Sequence, residues 1–212
     1  MKQELDTARK KYRVHSAIIG EPRKDEWWMK RHQSMNKNAR KQHDLLFIGD
    51  SITQGWEGSG KGTWEKYYAN RKALNLGISG DRTEHVIWRL DNGNLRNQKK
   101  AKAAVVMIGT NNTGHVMQDP TEVRDGVERI VSTLRARCPE AKILLLGVFP
   151  RGVKPDDAKR KNNIEINKLI SKFHNGERIH YLDISDKFLT TEGILTKEVM
   201  PDALHPRQKG YE

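Results

Sequence analysis

The distribution of apolar residues predicts an α/β protein, a three-layer α/β/α sandwich built on a flavodoxin-like, five-stranded parallel sheet. Three observations carry that expectation. Short apolar runs recur at 45–48, 73–76, 103–108, 143–148 and 179–182. Each run is continuous rather than alternating, the pattern of a strand buried on both faces. Helix-compatible stretches at 64–69, 83–90, 121–137 and 156–173 fall between them, so strand and helix alternate along the chain.

In chain order, residues 1–26 read as a polar lead-in of weak helical character, ended by Gly20 and Pro22, before a single domain over 27–212. Asp25 stands where a helix over 27–42 needs a cap, and Trp27, Trp28 and Met29 form its apolar start. An aromatic pair invites a ligand-stacking role, but packing against the core is the plainer reading. The stretch 121–137 places Val123, Val127, Ile130, Val131 and Leu134 on one face, with Pro120 near its start and Pro139 past its end. Residues 208–212 read as the opening of a further helix, within which the sequence stops.

Composition narrows the function classes. The hydrophobic set is 35% and the charged set 31% of 212 residues, a polar surface over a modest core. The net charge of +12 raises nucleic acid or acidic lipid and glycan as partners. The cations are dispersed, however; the densest run, 96–102, holds four of them and no aromatic residue. It reads as a solvated basic surface, and no nucleic-acid partner is expected. The lone Cys138 excludes an internal disulfide or a cysteine-based metal site and reads as a bystander at a helix end. No apolar run approaches the ~18 residues of a membrane span. Residues 1–19 lack a signal-peptide core. That fits a cytoplasmic protein, or an exported one whose signal has been removed.

In doubly wound sheets ligands bind beyond the carboxyl ends of the strands, and small polar residues collect there. The first run ends in Gly49-Asp50-Ser51, the second in Gly77-Ile78-Ser79-Gly80-Asp81, the third in Gly109-Thr110-Asn111-Asn112 and the fourth in Phe149-Pro150-Arg151-Gly152. A loop-rich segment after the fifth carries Pro201-Asp202-Ala203-Leu204-His205-Pro206. A serine held at a strand end is well placed as a nucleophile but needs a base; the plainer reading is a helix cap. Of the eight histidines, His205 is distinguished by an acid three residues earlier, which can orient its imidazole. His85 reads as a structural contact, and His115 as a residue able to line a pocket. Gly80 and Asn111 can supply a backbone and a side-chain N–H to an oxyanion, although each alone is ordinary turn chemistry.

Gly49-Asp50-Ser51, Gly80, Asn111 and Asp202-x-x-His205, in that order, resemble the four blocks of the SGNH/GDSL hydrolase superfamily. Trp28-Met29, the stretch from Leu76 to Asp81, His85 to Leu90, Gly109 to Asn112 and Pro150-Arg151-Gly152 are similar to the branch containing the catalytic subunits of intracellular platelet-activating-factor acetylhydrolase. The resemblance implies a serine esterase that needs no metal or cofactor and prefers short acyl groups, often acetyl. Ser51 would be the nucleophile, His205 the general base and acid, and Asp202 its orienting partner. The backbone N–H groups of Ser51 and Gly80, with the Asn111 side chain, would form the oxyanion hole. The Gly-x-Ser-x-Gly elbow of ordinary α/β-hydrolases is absent. That branch continues with a C-terminal helix beyond the position of Tyr211, and a homodimer is left open.

Ile52 and Leu204, bulky neighbours of Ser51 and His205, together with Thr110 and Trp56, are the candidate pocket residues and favour a small acyl group. Trp56, Trp64 and Tyr67 can stack on a sugar ring or simply pack. An O-acetylated carbohydrate is the first expectation for the substrate, an acetylated or short-chain phospholipid the second. Outside catalysis, the alternative is an inactive hydrolase-like module binding glycan or protein, against which the intact Ser51, Asp202 and His205 set weighs.

Overall fold

The structure, a computed structural model, describes residues 14–212. The five strands form one parallel sheet: β1 (Leu45–Gly49), β2 (Ala73–Gly77), β3 (Ala103–Met107), β4 (Lys142–Leu146) and β5 (Ile179–Leu182), in the order β2-β1-β3-β4-β5. The strands β2 and β3, consecutive in sequence, therefore flank β1, and the strand order reverses there. Gly49 is in register with Gly77 and Met107. The ends of the three central strands thus lie side by side, opening a crevice where a doubly wound sheet takes its ligand.

Eight α-helices accompany the sheet among the described residues: α1 (Glu26–Asn38), α2 (Ser51–Gln54), α3 (Lys61–Tyr67), α4 (Thr83–Arg89), α5 (Thr110–Val116), α6 (Pro120–Arg137), α7 (Ala158–Ile170) and α8 (Gln208–Tyr211). Helix α6 is set by its sequence: Asp119 accepts a hydrogen bond from Thr121 N at the start, and the five residues expected on one face are all buried. They pack with Leu46, Ile48, Leu76 and Val106 of the sheet, with Trp28 of α1, and with Val86 of α4 and Leu90 just after it. Each such buried side chain contributes roughly 1.5–3 kcal/mol relative to exposure.

The opposite sheet face is more thinly covered. There Phe47 meets an aromatic cluster from α3 and its flanks, and a smaller core gathers Ile52, Met107, Phe149, Phe188, Leu195 and Met200. Between them an open apolar groove of about 570 Å³ is lined by Val105 and Leu144 among others.

Several boundaries differ from the sequence expectation for local reasons. Helix α1 ends at Asn38 rather than near 42, because the Gln98 side-chain amide donates to the carbonyls of Ala39 and Lys41 and draws the chain out of the helical ladder. Asp25 sits at the cap position, yet its carboxylate accepts from Arg23 and makes no cap bond. Asp157 caps α7 through the N–H groups of Lys159 and Arg160, so that helix starts at Ala158 instead of 156. Beyond Ile170 it tightens into a 3₁₀ turn over Ser171–Phe173. Helix α3 spans Lys61–Tyr67 rather than 64–69; α2 is foreshadowed only by the reading of Ser51 as a cap, and α5 is not expected from the sequence.

Within the lead-in, residues 1–13 lie outside the described residues. Residues 15–23 lie along α4 and α6: His15 Nε2 is 3.1 Å from Asp125, Ala17 is fully buried, and Glu21 N donates to Glu84 O. Trp28 is buried, whereas Trp27 is half exposed beneath the Arg23 guanidinium. Among the described residues no helix is long and apolar enough to cross a membrane.

Candidate active site

The site begins where β1 turns into α2. Gly49 permits the turn, since a Cβ there would run into the Thr53 side chain and the Met107 carbonyl. Asp50 caps α2, its carboxyl accepting from Ile52 N at 3.0 Å. The cap role that the plainer reading gave Ser51 therefore belongs to its neighbour. Ser51 is the first residue of the helix, with its hydroxyl available at the crevice. Asp50 itself is wholly buried; burial, reinforced by the Asp81 charge, pushes its carboxyl up to about 7, although the Ile52 N–H opposes this.

Across the crevice, His205 Nε2 lies 2.9 Å from Ser51 Oγ, and His205 Nδ1 lies 2.6 Å from Asp202 Oδ2. A carboxylate only accepts, so Nδ1 carries the proton and the Nε2 lone pair faces the serine hydroxyl. The other Asp202 oxygen accepts from the N–H groups of Leu204 (3.1 Å) and His205 (2.7 Å). Burial acts to raise this carboxyl, but the backbone and ring hydrogen bonds of His205 outweigh it and hold Asp202 below the usual carboxylate range. Between the two, Ala203 adopts φ +57°, a left-handed conformation that costs a non-glycine residue on the order of 1 kcal/mol. Its N–H donates to Met200 O and its carbonyl accepts from Gly152 N, which keeps the loop in that shape.

The candidate oxyanion donors converge on the same crevice. Gly80 has φ +79°, a left-handed conformation that favours glycine, and the Arg23 guanidinium lies close against it. Asn111, buried in the first turn of α5, donates from Nδ2 to Asp81 O at 3.0 Å, which ties it to the residue after Gly80. A side-chain amide has two N–H bonds, so one remains for a ligand.

Of the four candidate pocket residues, Ile52 and Trp56 line the apolar groove together. Ile52 and Leu204 meet in the smaller core, where Ile52 is almost fully buried. Thr110 is buried beside Asn111 and its carbonyl accepts from Arg151 Nη1 at 2.9 Å. The Trp56 ring packs against Phe47, Trp64, Tyr68 and Tyr211, with centroids 4.7–6.1 Å away. Trp64 lies in that cluster too, while Tyr67 is half exposed under the Lys66 ammonium. His115 lies at the surface in the last turn of α5. His85 is buried, its Nδ1 accepting from Arg82 N at 3.0 Å; burial first, then the charges of Arg82, Arg23 and Arg89, hold it down to about 3. Burial pushes the Cys138 thiol up to about 11, which leaves it unreactive.

Three features escaped the sequence reading. Trp28 donates from Nε1 to Asp81 Oδ1 at 2.6 Å, and Arg89 donates from Nε to Asp81 Oδ2 at 2.7 Å, all within the protein interior. The available signal was an arginine placed among Val86, Ile87 and Leu90 of an inward helix face. Tyr211, at the end of α8, donates its hydroxyl to Ile52 O at 2.6 Å and so braces α2, which carries Ser51.

The chain is similar to known proteins. Residues 47–212 match the family described as GDSL-like lipase/acylhydrolase. The chain is 35% identical over 186 residues to platelet-activating factor acetylhydrolase IB subunit alpha1 of Homo sapiens, covering 87% of this chain and 78% of that protein. It is 38% identical over 189 residues to subunit alpha2 of Rattus norvegicus, covering 88% and 80% respectively. Among solved structures, a GDSL-like lipase of Bacteroides thetaiotaomicron superposes with TM-score 0.67 at 19% identity, covering 86% and 90% of the two chains. A catalytic mutant of an acetylxylan esterase of Geobacillus stearothermophilus does so with TM-score 0.60 at 17% identity, covering 80% and 89%. At such identities these two speak to the fold.

Proposed function

The chain belongs to the GDSL-like lipase/acylhydrolase family, and from that premise we propose that it is a serine esterase removing short acyl groups, acetyl above all, through Ser51, His205 and Asp202. One observation carries the reading: the continuous chain from Ser51 Oγ to His205 Nε2 (2.9 Å) and from His205 Nδ1 to Asp202 Oδ2 (2.6 Å). His205 takes the Ser51 proton as Oγ attacks the acyl carbonyl carbon. The resulting oxyanion is received by the N–H groups of Ser51 and Gly80 and the Asn111 amide. Collapse of the tetrahedral intermediate breaks the ester C–O bond, and the alcohol leaves with the proton from Nε2. Water then attacks the acyl-serine, again losing its proton to His205, which returns it to Ser51 as the carboxylic acid departs.

Ile52 and Leu204, both packed into the smaller core beside the catalytic residues, favour a short acyl group. For the alcohol, an O-acetylated carbohydrate comes first, the half-exposed Tyr67 ring being able to stack on a sugar. An acetylated phospholipid is the second reading, favoured by relatives named platelet-activating factor acetylhydrolase IB subunits at 35–38% identity. The test is hydrolysis of p-nitrophenyl acetate, butyrate and octanoate by the wild type and Ser51→Ala. Acetate should be cleaved fastest and Ser51→Ala should be inert. Faster cleavage of octanoate would overturn the short-acyl assignment, and a folded, inert wild type would overturn catalysis by Ser51. Acetylated xylo-oligosaccharide set against a 2-acetyl glycerophospholipid then separates the two alcohols.

A further inference from the structure

Arg89 and Asp81 are both fully buried, and neither side chain touches solvent. An ion pair in that position is weak evidence for stability, because removing two charges from water costs about as much as their attraction returns. What the pair holds in place is more informative. Arg89 Nε donates to Asp81 Oδ2 at 2.7 Å, and Nη1 donates to Leu76 O at 3.0 Å and to Asn94 Oδ1 at 2.7 Å. Nη2 donates to Gly49 O at 3.2 Å. Gly49 and Leu76 lie at the carboxyl ends of β1 and β2, two residues before Ser51 and four before Gly80. One planar guanidinium therefore joins the strand that delivers the nucleophile to the strand that delivers the oxyanion loop.

Asp81 completes the link. Its carboxylate is held by Arg89 and by Trp28 Nε1. Its own carbonyl accepts from Asn111 Nδ2, and its N–H donates to Ile78 O. The residue before Gly80 is tethered as well: Ser79 N donates to Gln54 Oε1 at 2.8 Å, and Ser79 O accepts from Arg23 Nη1 at 2.9 Å. Gly80 thus stands between two pinned neighbours, and the side-chain anchor on the Asp81 side is the ion pair.

We propose that the buried Asp81–Arg89 pair is the clamp that sets the distance between the nucleophile turn and the oxyanion loop, making both side chains positioning residues for acyl transfer. This rests on the esterase reading above. A guanidinium can serve three directions in one plane, whereas a lysine ammonium at the end of a flexible stem cannot reproduce that fork. An offset on the order of 1 Å between reacting groups can lower a rate roughly 100-fold. The clamp acts on the transition state rather than on substrate binding, so its loss should appear in kcat.

The test compares wild type, Arg89→Lys and the charge-free Asp81→Leu/Arg89→Met protein in p-nitrophenyl acetate hydrolysis, thermal unfolding and amide hydrogen exchange over 77–83. In Arg89→Lys, kcat should fall on the order of 10- to 100-fold with KM within about threefold, and exchange at 79–82 should accelerate in protein that remains folded. The double variant should lose kcat similarly while keeping a cooperative transition. Wild-type kcat in either folded variant would overturn the proposal, as would unchanged exchange at 79–82 in Arg89→Lys. So would a loss of activity that merely follows the unfolded fraction and disappears on cooling. If the wild type itself cleaves no ester, the esterase reading fails separately, and the exchange comparison still judges the clamp.

Discussion

The two halves of the site are built differently. The proposed nucleophile and oxyanion donors stand on strand ends locked from behind by buried groups: Asp81 and Arg89 are fully buried, and Asn111 nearly so. The acid–base half is a loop between Pro201 and Pro206 whose working side chains are open, Asp202 and His205 being 52% and 43% exposed. The first half is positioned by the sheet and its core. The second is positioned by a few backbone hydrogen bonds and one left-handed alanine. Precision at Ser51 is a property of the core, whereas precision at His205 is a property of one short loop.

The largest test of this contrast is Asp202→Asn. It should lower kcat by up to about 10⁴-fold, because the amide no longer holds the productive imidazole tautomer. The exposed setting should let added acetate or formate restore part of the rate, which steady-state kinetics reads directly. Asn111→Ala comes next, in the locked half. Loss of one oxyanion donor should cost about 10²- to 10³-fold in kcat, and here no small molecule should rescue, since the site is closed from behind. A rescued Asn111→Ala, or an Asp202→Asn of wild-type rate, would erase the distinction.

A pH experiment separates the halves in stability. His85 lies behind Gly80, 3.9 Å from Asp81, and its folded-state pKa is lowered from 6.5 to about 3 by burial and by neighbouring arginines. A histidine that stays neutral when folded and protonates when unfolded stabilises the fold above the unfolded value. That contribution, on the order of a few kcal/mol, is lost as pH falls from about 6.5 toward 3. Denaturant unfolding across this range should show stability declining on acidification, with a shallower slope in His85→Gln. An equally steep slope in the variant would remove His85 from the account. The smallest effect is expected of Tyr211→Phe. Losing one hydrogen bond to Ile52 O should cost about 1 kcal/mol and lower Tm by roughly 2–4 °C. Because that bond braces α2 from the chain end, kcat should fall by no more than about threefold.

Much of the catalytic edge was legible because it is local. A strand that ends in Gly-Asp-Ser says where its serine will be, and Asp202 lies one turn from His205 whatever else the chain does. The five strands were equally legible, since a buried parallel strand must be a continuous apolar run. Helix ends were less so: Asn38 rather than Gln42 ends α1 because Gln98, from a distant turn, claims the carbonyls beyond it. Trp56, read as a pocket residue from its nearness in sequence to Ser51, lines the apolar groove with Ile52, but its ring packing with Phe47 and Tyr211 joins residues far apart in the chain and could not be read from the sequence.

Sequence alone thus determined the architecture and singled out the candidate reacting groups, because strand patterning and short-range motifs are encoded in neighbouring residues. Only the tertiary structure decided which distant groups meet. Ser51 and His205 are 154 residues apart, and the Arg89 side chain reaches Gly49, 40 residues away, across the core. Such meetings depend on how the sheet closes and how the interior is filled, and those are settled by the packing of the whole chain.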